Sequence, residues 1–269
     1  MRLVLGAALL ISSPASARAQ APAAPPEAAT DLAKKLSNPI SDLVSVPFQF
    51  NWEQGVGPSE QTRFILNVQP VMPFTLNKDW NLIARVILPL VSQPALVTDG
   101  APTFGVSDVL TSFFFSPSAG GITWGVGPVI SLPSTQAPTL GSGKWSAGPT
   151  AVVLKQTGPW TVGALWNQVW SFSGDASRAD VNQMFVQPFL ALNTKTQVTY
   201  TLQSETTANW AVTTGRWTVP VNFIVSKLSS FGQFPASYQI GFGGFAVHPD
   251  NGPQWKVRGA IVILLPRRK

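Results

Sequence analysis

The chain contains no cysteine, a single histidine and few charged side chains. Only 11% of its 269 residues are charged, whereas soluble globular domains usually carry about 25%. The absence of cysteine excludes disulfides, thiolate metal sites and cysteine nucleophiles. Low charge combined with 45% hydrophobic residues, 24 prolines and 22 glycines is unusual for a soluble protein and typical of one whose outer surface meets lipid.

The sequence also lacks a long apolar run. After the N-terminal region, no stretch of 18 or more residues is apolar, so no transmembrane helix is predicted. A chain that enters a membrane without helices must form a closed barrel, because an open sheet would leave unpaired backbone groups in hydrocarbon. The net charge of +6 is modest and the basic residues are scattered, which argues against nucleic-acid binding.

The first 19 residues have the three parts of a secretory signal peptide. Met1 and Arg2 supply positive charge, residues 3–11 form an apolar run too short to span a bilayer, and residues 17–19 match the A-x-A cleavage pattern. We therefore predict export, with a cleaved signal peptide over residues 1–19.

Residues 20–43 are predicted to be a periplasmic N-terminal segment. Their first part is rich in proline and alanine, as in flexible chains. Residues 31–43 are predicted to form one or two helical turns, broken at Asn38-Pro39 because the residue before a proline disfavours the helical conformation. The segment is a candidate short helix or plug at the periplasmic mouth of the domain that follows.

Residues 44–269 have a repeating pattern with a period of two. Apolar and mostly polar side chains alternate over residues 44–53, as a strand between lipid and a wet interior requires. The same pattern recurs over 197–203, 217–226 and 255–265. Further strands are predicted near 62–75, 79–90, 105–116, 121–132, 144–156, 160–172, 182–192 and 235–247. The predicted fold is all-β, a closed antiparallel transmembrane β-barrel of about twelve strands.

The predicted connections alternate between long and short. The short ones are residues 76–78, 117–120, 157–159 and 193–195. The long ones lie near 54–61, 91–104, 133–143, 173–181, 206–216 and 248–254. Outer-membrane barrels have short periplasmic turns and longer external loops, so the first strand is expected to rise from the periplasm. The connection near 227–234 is the exception, a periplasmic turn that is predicted to be long.

Tryptophans fall at the predicted strand ends, where membrane interfaces favour them. The external girdle is predicted to contain Trp52, Trp145, Trp217 and Trp255, and the periplasmic girdle Trp80, Trp124 and Trp160. A soluble β-sandwich with tryptophan in its core would explain the alternation, but it would explain neither the two girdles nor the loop lengths.

Polar side chains on the inward face form the candidate lumen lining, if the apolar positions face lipid. The set is Gln49, Asn51, Glu53, Arg63, Asn67, Gln69, Arg85, Gln197, Gln203, Asn222, Gln239, Lys256 and Arg258. Because the last strand closes against the first, Lys256 and Arg258 are expected to face Glu53, Gln49 and Asn51. Two interpretations stay open: a pore lining that favours anionic or polar solutes, or a structural network of paired charges that fills a narrow barrel.

Residue types for catalysis, metal or cofactor binding are scarce. His248 precedes Pro249 and Asp250, a combination typical of a turn, so it is a poor candidate for a general base. Residues 141–144 resemble part of a phosphate loop, but the first glycine of that motif is missing and Trp145 replaces its Ser or Thr. No carboxylate spacing suggests a metal site. We predict no enzymatic activity, no cofactor and no metal.

Three stretches carry a recognisable pattern. They are NPISDLVSVPFQFNW at 38–52, LNVQPVMPFTLNKDWNLIARVILPL at 66–90 and LGSGKWSAGPTAVVLKQTGPWTVGALWNQVWSF at 140–172. They resemble a family of bacterial outer-membrane proteins described as transporters, close to the β-barrel family named for the MetA pathway of phenol degradation. The resemblance extends over nearly all of the chain after residue 19. It implies an outer-membrane barrel that passes small solutes, with small aromatic or organic compounds as one class. Barrels of this kind often end on an aromatic residue, whereas this sequence ends LLPRRK.

Three functions remain open from the sequence. The first is a passive channel or transporter component for small solutes in the outer membrane of a Gram-negative bacterium. The second is a structural or surface-interaction barrel whose long loops bind a partner. The third is an outer-membrane enzyme that would depend on His248. Expected partners are outer-membrane lipid, a small solute and the barrel-assembly machinery, and nucleic acid is not expected.

Overall fold

The computed structural model describes residues 26–97, 99–135 and 137–266, so the predicted signal peptide lies outside the described residues. One helix, α1, spans Pro26–Leu36. The strand segments β1 to β15 are Val44–Val56, Gln61–Val68, Val71–Thr75, Trp80–Gln93, Thr103–Val106, Val109–Pro117, Thr123–Leu132, Lys144–Thr157, Trp160–Gly174, Asn182–Asn193, Val198–Ser204, Thr206–Asn209, Trp217–Phe231, Phe234–Val247 and Trp255–Leu265. Within these described ranges, no helix is long and apolar enough to cross a membrane.

The strands form one closed antiparallel barrel. Each barrel strand pairs with the barrel strands before and after it in sequence. The last, β15, pairs with β1 from Val44↔Leu265 to Gln54↔Trp255, which closes the sheet. The segments β2 and β3, β5 and β6, and β11 and β12 are each two parts of one barrel strand, so the barrel has 12 strands. The predicted fold class is confirmed.

The three interrupted strands have prolines at or opposite the interruption. Pro70 lies between β2 and β3, and Ser107, between β5 and β6, donates its backbone N–H to the carbonyl of Pro89 at 2.9 Å. Residue 205 separates β11 from β12, and the register on β10 places Pro188 opposite Ser204, the last residue of β11. A proline has no N–H to donate, so the ladder of hydrogen bonds is broken locally.

Several predicted connections are longer than those in the structure. The chain turns between β13 and β14 at Gly232 and Gln233, because Phe231 still pairs with Phe234. Gly232 has a φ of 59°, a left-handed conformation that glycine adopts without strain. The first hairpin is also tighter than predicted, since Val56 pairs with Gln61 and leaves only residues 57–60 between the strands. We call the end of the barrel with residues 232–233 the turn end and the end with residues 57–60 the loop end.

Aromatic side chains ring the outer surface near the strand ends. All seven predicted girdle tryptophans point outward, with exposed fractions between 38% and 45%. At the turn end, the rings of Trp80 and Trp124 meet edge to face at 5.9 Å. At the loop end, Trp52 packs against Phe64, and Trp255 stacks on Phe242. This outer surface is apolar over the height that the strands span.

One side of the barrel interior is filled by apolar side chains. The cluster contains Ile40, Val71, Ile83, Phe114, Val152, Leu154, Leu165 and Phe189, and each is at most 9% exposed. These residues point inward, because their neighbours on the outer face, such as Phe115 and Val153, are 42% and 50% exposed. Most of the cluster lies on β4, β6, β8, β9 and β10, so this side of the barrel is packed at mid-height.

Candidate functional site

The open part of the interior is a cavity of about 410 Å³ lined mostly by polar side chains. Its wall comes from β1 to β4, β10, β11 and β13 to β15. The predicted lining residues on this wall are Gln49, Asn51, Glu53, Asn67, Gln69, Arg85, Gln197, Gln203, Gln239, Lys256 and Arg258. Arg63 and Asn222 lie beside it: Arg63 bonds to Glu53, and Asn222 is buried against Gly243 next to Lys256.

The alternation of β1 positions five of these wall residues. Ser45, Pro47, Gln49, Asn51 and Glu53 all line the cavity, while the apolar residues between them face outward. Side chains two residues apart in a strand share a face, so one strand provides a polar stripe along the interior.

Glu205 is the centre of the charged cluster in the cavity. Its carboxylate accepts hydrogen bonds from Arg258 Nη1 at 2.9 Å and Nη2 at 2.6 Å, and from Lys256 Nζ at 2.9 Å. Gln203 Nε2 also donates to it at 3.2 Å. The bidentate contact with the guanidinium fixes both partners in one geometry, because the arginine fork matches the two carboxylate oxygens.

The sequence analysis missed Glu205, because it ended the predicted strand over residues 197–203 at Gln203. The strand in fact continues through β12 to Asn209, so the predicted loop 206–216 is wrong and only residues 210–216 connect the strands. Thr199, Thr201, Gln203 and Glu205 all line the cavity, so extending the alternation by two residues would have found the carboxylate.

As expected, Lys256 and Arg258 lie opposite Glu53 and Asn51 in the register of β15 on β1, but their ion-pair partner is Glu205. Arg258 Nε does donate to Asn51 Oδ1 at 2.8 Å, and the Gln49 amide lies within hydrogen-bond distance of the same guanidinium. However, Glu53 pairs with Arg63 on the adjacent strand, with Nη2 2.6 Å from Oε2. The carboxylate that balances β15 comes from a strand separated from it by β13 and β14, and reasoning from adjacent strands does not predict this contact.

Amide side chains connect the charged groups into one network. Arg85 Nη2 donates to Gln69 Oε1 at 2.7 Å, and the amides of Gln69 and Gln49 are 3.1 Å apart. Gln49 then contacts Asn51, which accepts from Arg258. The network thus spans the wall from β4 to β15 and reaches Glu205. Such connected, satisfied polar groups hold one another rigidly in a low-dielectric interior.

The N-terminal segment forms the floor of the cavity at the turn end. Ala33 is 4% exposed, and Ile40 inserts into the apolar cluster. The segment is tied to the barrel by Gln156 Nε2, which donates to the Lys34 carbonyl at 2.8 Å, and by Ser37 Oγ, which donates to Asn193 Oδ1 at 3.1 Å.

The bend after α1 is fixed locally. Asn38 Oδ1 accepts from the backbone N–H of Ile40 at 3.0 Å, a side-chain turn that Asn before Pro favours. A second cavity, of about 520 Å³, lies between this segment and the turns at 76–79 and 118–122. Asn38 and Ser41 line both cavities, so the segment separates the lumen from the turn-end mouth.

The chemically suggestive motifs do not form a reactive site. His248 is exposed, and its Nδ1 lies 2.9 Å from the Pro249 carbonyl, with no other hydrogen-bond partner among the described residues. In residues 141–144, Ser142 donates its N–H and hydroxyl to Asp108, and Lys144 pairs with Asp180, so these residues organise loops. In the described ranges, no group of three or more His, Asp or Glu side chains is placed to hold a metal.

Comparison with solved structures identifies the class of fold. An outer-membrane channel from Pseudomonas putida F1 aligns with a TM-score of 0.61 and 15% identity, over 83% of this chain and 94% of that one. The NanC porin aligns with a TM-score of 0.53 and 10% identity, over 82% and 100%. An outer-membrane phospholipase from Salmonella typhi gives a TM-score of 0.49 and 13% identity, over 85% and 93%.

The chain thus has the fold of the outer-membrane β-barrels, and its apolar outer surface fits that location. No protein-family model and no curated protein matches its sequence.

Proposed function

We propose that this barrel is a passive outer-membrane channel for small solutes and that the lumen cavity lies on the solute path. The observation that carries the proposal is the polar cavity of about 410 Å³, enclosed by a barrel whose outer surface is apolar. A barrel that served only as a scaffold would gain stability from a fully packed interior. The names of the two higher-scoring structural neighbours, a channel and a porin, agree with this function.

The size of the opening restricts the solutes to small molecules. A 12-stranded barrel is wider than the side-chain-filled eight-stranded barrels and narrower than the open porins. Here the apolar cluster fills one side of the barrel interior, so the free cross-section of the lumen is smaller still. The basic residues of the wall favour anionic or polar solutes. Small aromatic compounds are the class that the sequence resemblance implies.

We also propose that the protein reaches the outer membrane by signal-peptide export and insertion by the barrel-assembly machinery. Residues 1–19 have the pattern of a signal peptide, and the closed barrel needs no transmembrane helix to be stable in lipid. The tryptophan girdles would then lie at the two membrane interfaces.

Uptake into proteoliposomes tests the channel. Purified full-length protein is reconstituted, and the entry of acetate and of a tetrasaccharide is compared with entry into protein-free liposomes. We expect acetate to enter faster with the protein while the tetrasaccharide stays excluded, because the free cross-section is small. Acetate entry equal to that of protein-free liposomes would contradict the proposal.

A surface-interaction barrel is the second candidate, favoured by the mutual bonding of the loops at the loop end. Ser142 bonds to Asp108, Lys144 pairs with Asp180, and the Arg178 guanidinium donates to the Pro138 and Gly141 carbonyls. Rigid loops lower the entropy lost when a partner binds.

Deleting residues 211–215 separates the two candidates. This deletion leaves β12 and β13 intact, whereas a deletion that began at residue 206 would remove part of the barrel. For a channel, we expect solute uptake to stay within about twofold of the wild type. Loss of adhesion of cells to a surface, with uptake unchanged, would instead support the interaction barrel.

A further inference from the structure

Arg85 is a cation of the lumen wall without a carboxylate partner among the described residues. Its Nη2 donates to the Gln69 amide at 2.7 Å, and its Nε and Nη1 have no hydrogen-bond partner there. Arg85 lines the cavity, so these two nitrogens are available to a molecule inside it. An arginine fork with free donors matches the geometry of a carboxylate.

The cavity as a whole has more positive than negative charge. Arg85, Lys256 and Arg258 line it together with Glu205, the single carboxylate that Lys256 and Arg258 share. The other carboxylate of the wall, Glu53, forms an ion pair with Arg63. Uncompensated cations in a protein interior are costly, and an anionic ligand would compensate them.

The wall of the same cavity also has an apolar part. Phe185 and Phe189 on β10, and Ile224 and Leu228 on β13, line it. Phe185 packs against the apolar cluster, which holds it in place. Small organic ligands bind where polar anchors adjoin an apolar surface, and about 410 Å³ is within the range of such sites.

We propose that Arg85 anchors a subsite for small organic acids, in which the carboxylate bonds to its guanidinium and an apolar body, such as a ring, contacts Phe185 and Phe189. The subsite deepens the proposed channel function and rests on it, since solute must enter the same cavity. It assigns the substrate class as amphipathic monocarboxylates.

Calorimetric titration of benzoate into full-length protein in detergent tests the subsite. We expect saturable binding of benzoate, at least about tenfold weaker binding of acetate, which lacks the ring, and no binding of benzamide, which lacks the charge. Arg85→Gln should weaken benzoate binding by at least about tenfold, and Arg85→Lys should restore part of it, because a lysine keeps the charge and loses the fork.

The control is Arg216→Gln, which removes an arginine from the loop end, where it stacks over Trp210 outside the cavity. This variant should bind benzoate like the wild type. Folding of each variant is verified by circular dichroism, and Arg85→Lys provides the test if Arg85→Gln does not fold.

Two measurements distinguish failure of the subsite from failure of the channel. Benzoate affinity unchanged in Arg85→Gln, or acetate and inorganic phosphate binding as tightly as benzoate, would overturn the subsite. Absence of acetate uptake into proteoliposomes while benzoate still binds in an Arg85-dependent way would overturn the channel and leave the subsite standing.

Discussion

At the scale of single residues, the lumen depends on one carboxylate that serves two cations. Glu205 lies at an interruption of its strand, next to Ser204, which the register places opposite Pro188 on β10. Its side chain is 19% exposed, and those of Lys256 and Arg258 are each 5% exposed. Three charged groups with so little exposure are stable only together, because each one alone would lose its hydration without a replacement.

Glu205→Gln is therefore expected to destabilise the barrel. The change keeps the shape of the side chain but leaves Lys256 and Arg258 without a counter-charge, which should lower the free energy of unfolding by about 3 kcal/mol. Urea unfolding of the protein refolded into lipid vesicles measures this change in the free energy of unfolding. Asp250→Asn, a matched change on an exposed loop residue, should have almost no effect. If Glu205→Gln lowers the free energy of unfolding by no more than Asp250→Asn does, the central role of Glu205 is contradicted.

The sequence predicts most of these residues but not how they pair. Alternation along β1 and β15 brings Gln49, Asn51, Lys256 and Arg258 to the interior face, and the register of the two strands follows from barrel closure. The contact with Glu205 joins strands that are not adjacent, and no local pattern specifies which inward residues of such strands meet. Such contacts depend on the tilt of the strands and the width of the barrel.

At the scale of the elements, the segment between α1 and β1 lies between the lumen cavity and the turn-end mouth. Ile40 anchors it in the apolar cluster, and hydrogen bonds from Gln156 and Ser37 hold the preceding turn. Ile40 is the residue of this segment in the apolar cluster, and regions with few buried apolar contacts open locally at low cost in free energy.

Ile40→Asp is expected to open the turn end. A carboxylate in the apolar cluster is so unfavourable that the segment should leave the lumen, which would raise the single-channel conductance severalfold in planar bilayers. Ile40→Val keeps the anchor, costs about 1 kcal/mol of stability and should leave the conductance unchanged. Equal conductance of Ile40→Asp and Ile40→Val would show that the segment does not limit the ion current.

The strands themselves are largely predictable, and the apolar half of the lumen is not. A period of two identifies strands with one polar face, such as β1, β11, β13 and β15. On β6 and β8, inward residues such as Phe114 and Leu154 are apolar too, so both faces look alike and the inward one cannot be assigned. The length of the 232–233 turn was misjudged because residues 226–230, four of which are polar, still belong to β13.

At the scale of the whole molecule, the barrel combines an apolar exterior with an interior divided between a packed apolar side and a basic polar side. The packed apolar side and the N-terminal segment narrow the lumen. A hydrogen-bonded network holds the wall of the remaining cavity in place; its members are Arg85, Gln69, Gln49, Asn51, Arg258 and Glu205. That wall has three cations and two carboxylates, and one of the carboxylates, Glu53, is paired with Arg63. We expect the remaining positive charge of the lining to attract anions and repel cations.

The reversal potential of single channels in a planar bilayer tests this account most directly. Wild-type protein is inserted, a KCl gradient is applied across the membrane, and the voltage of zero current is measured, with Ile40→Asp as the variant with the widest mouth. We predict a current in both proteins, with the reversal potential displaced toward the chloride equilibrium potential. The absence of current in both, or a reversal potential displaced toward that of potassium, would contradict a passive channel with an anion-selective lumen.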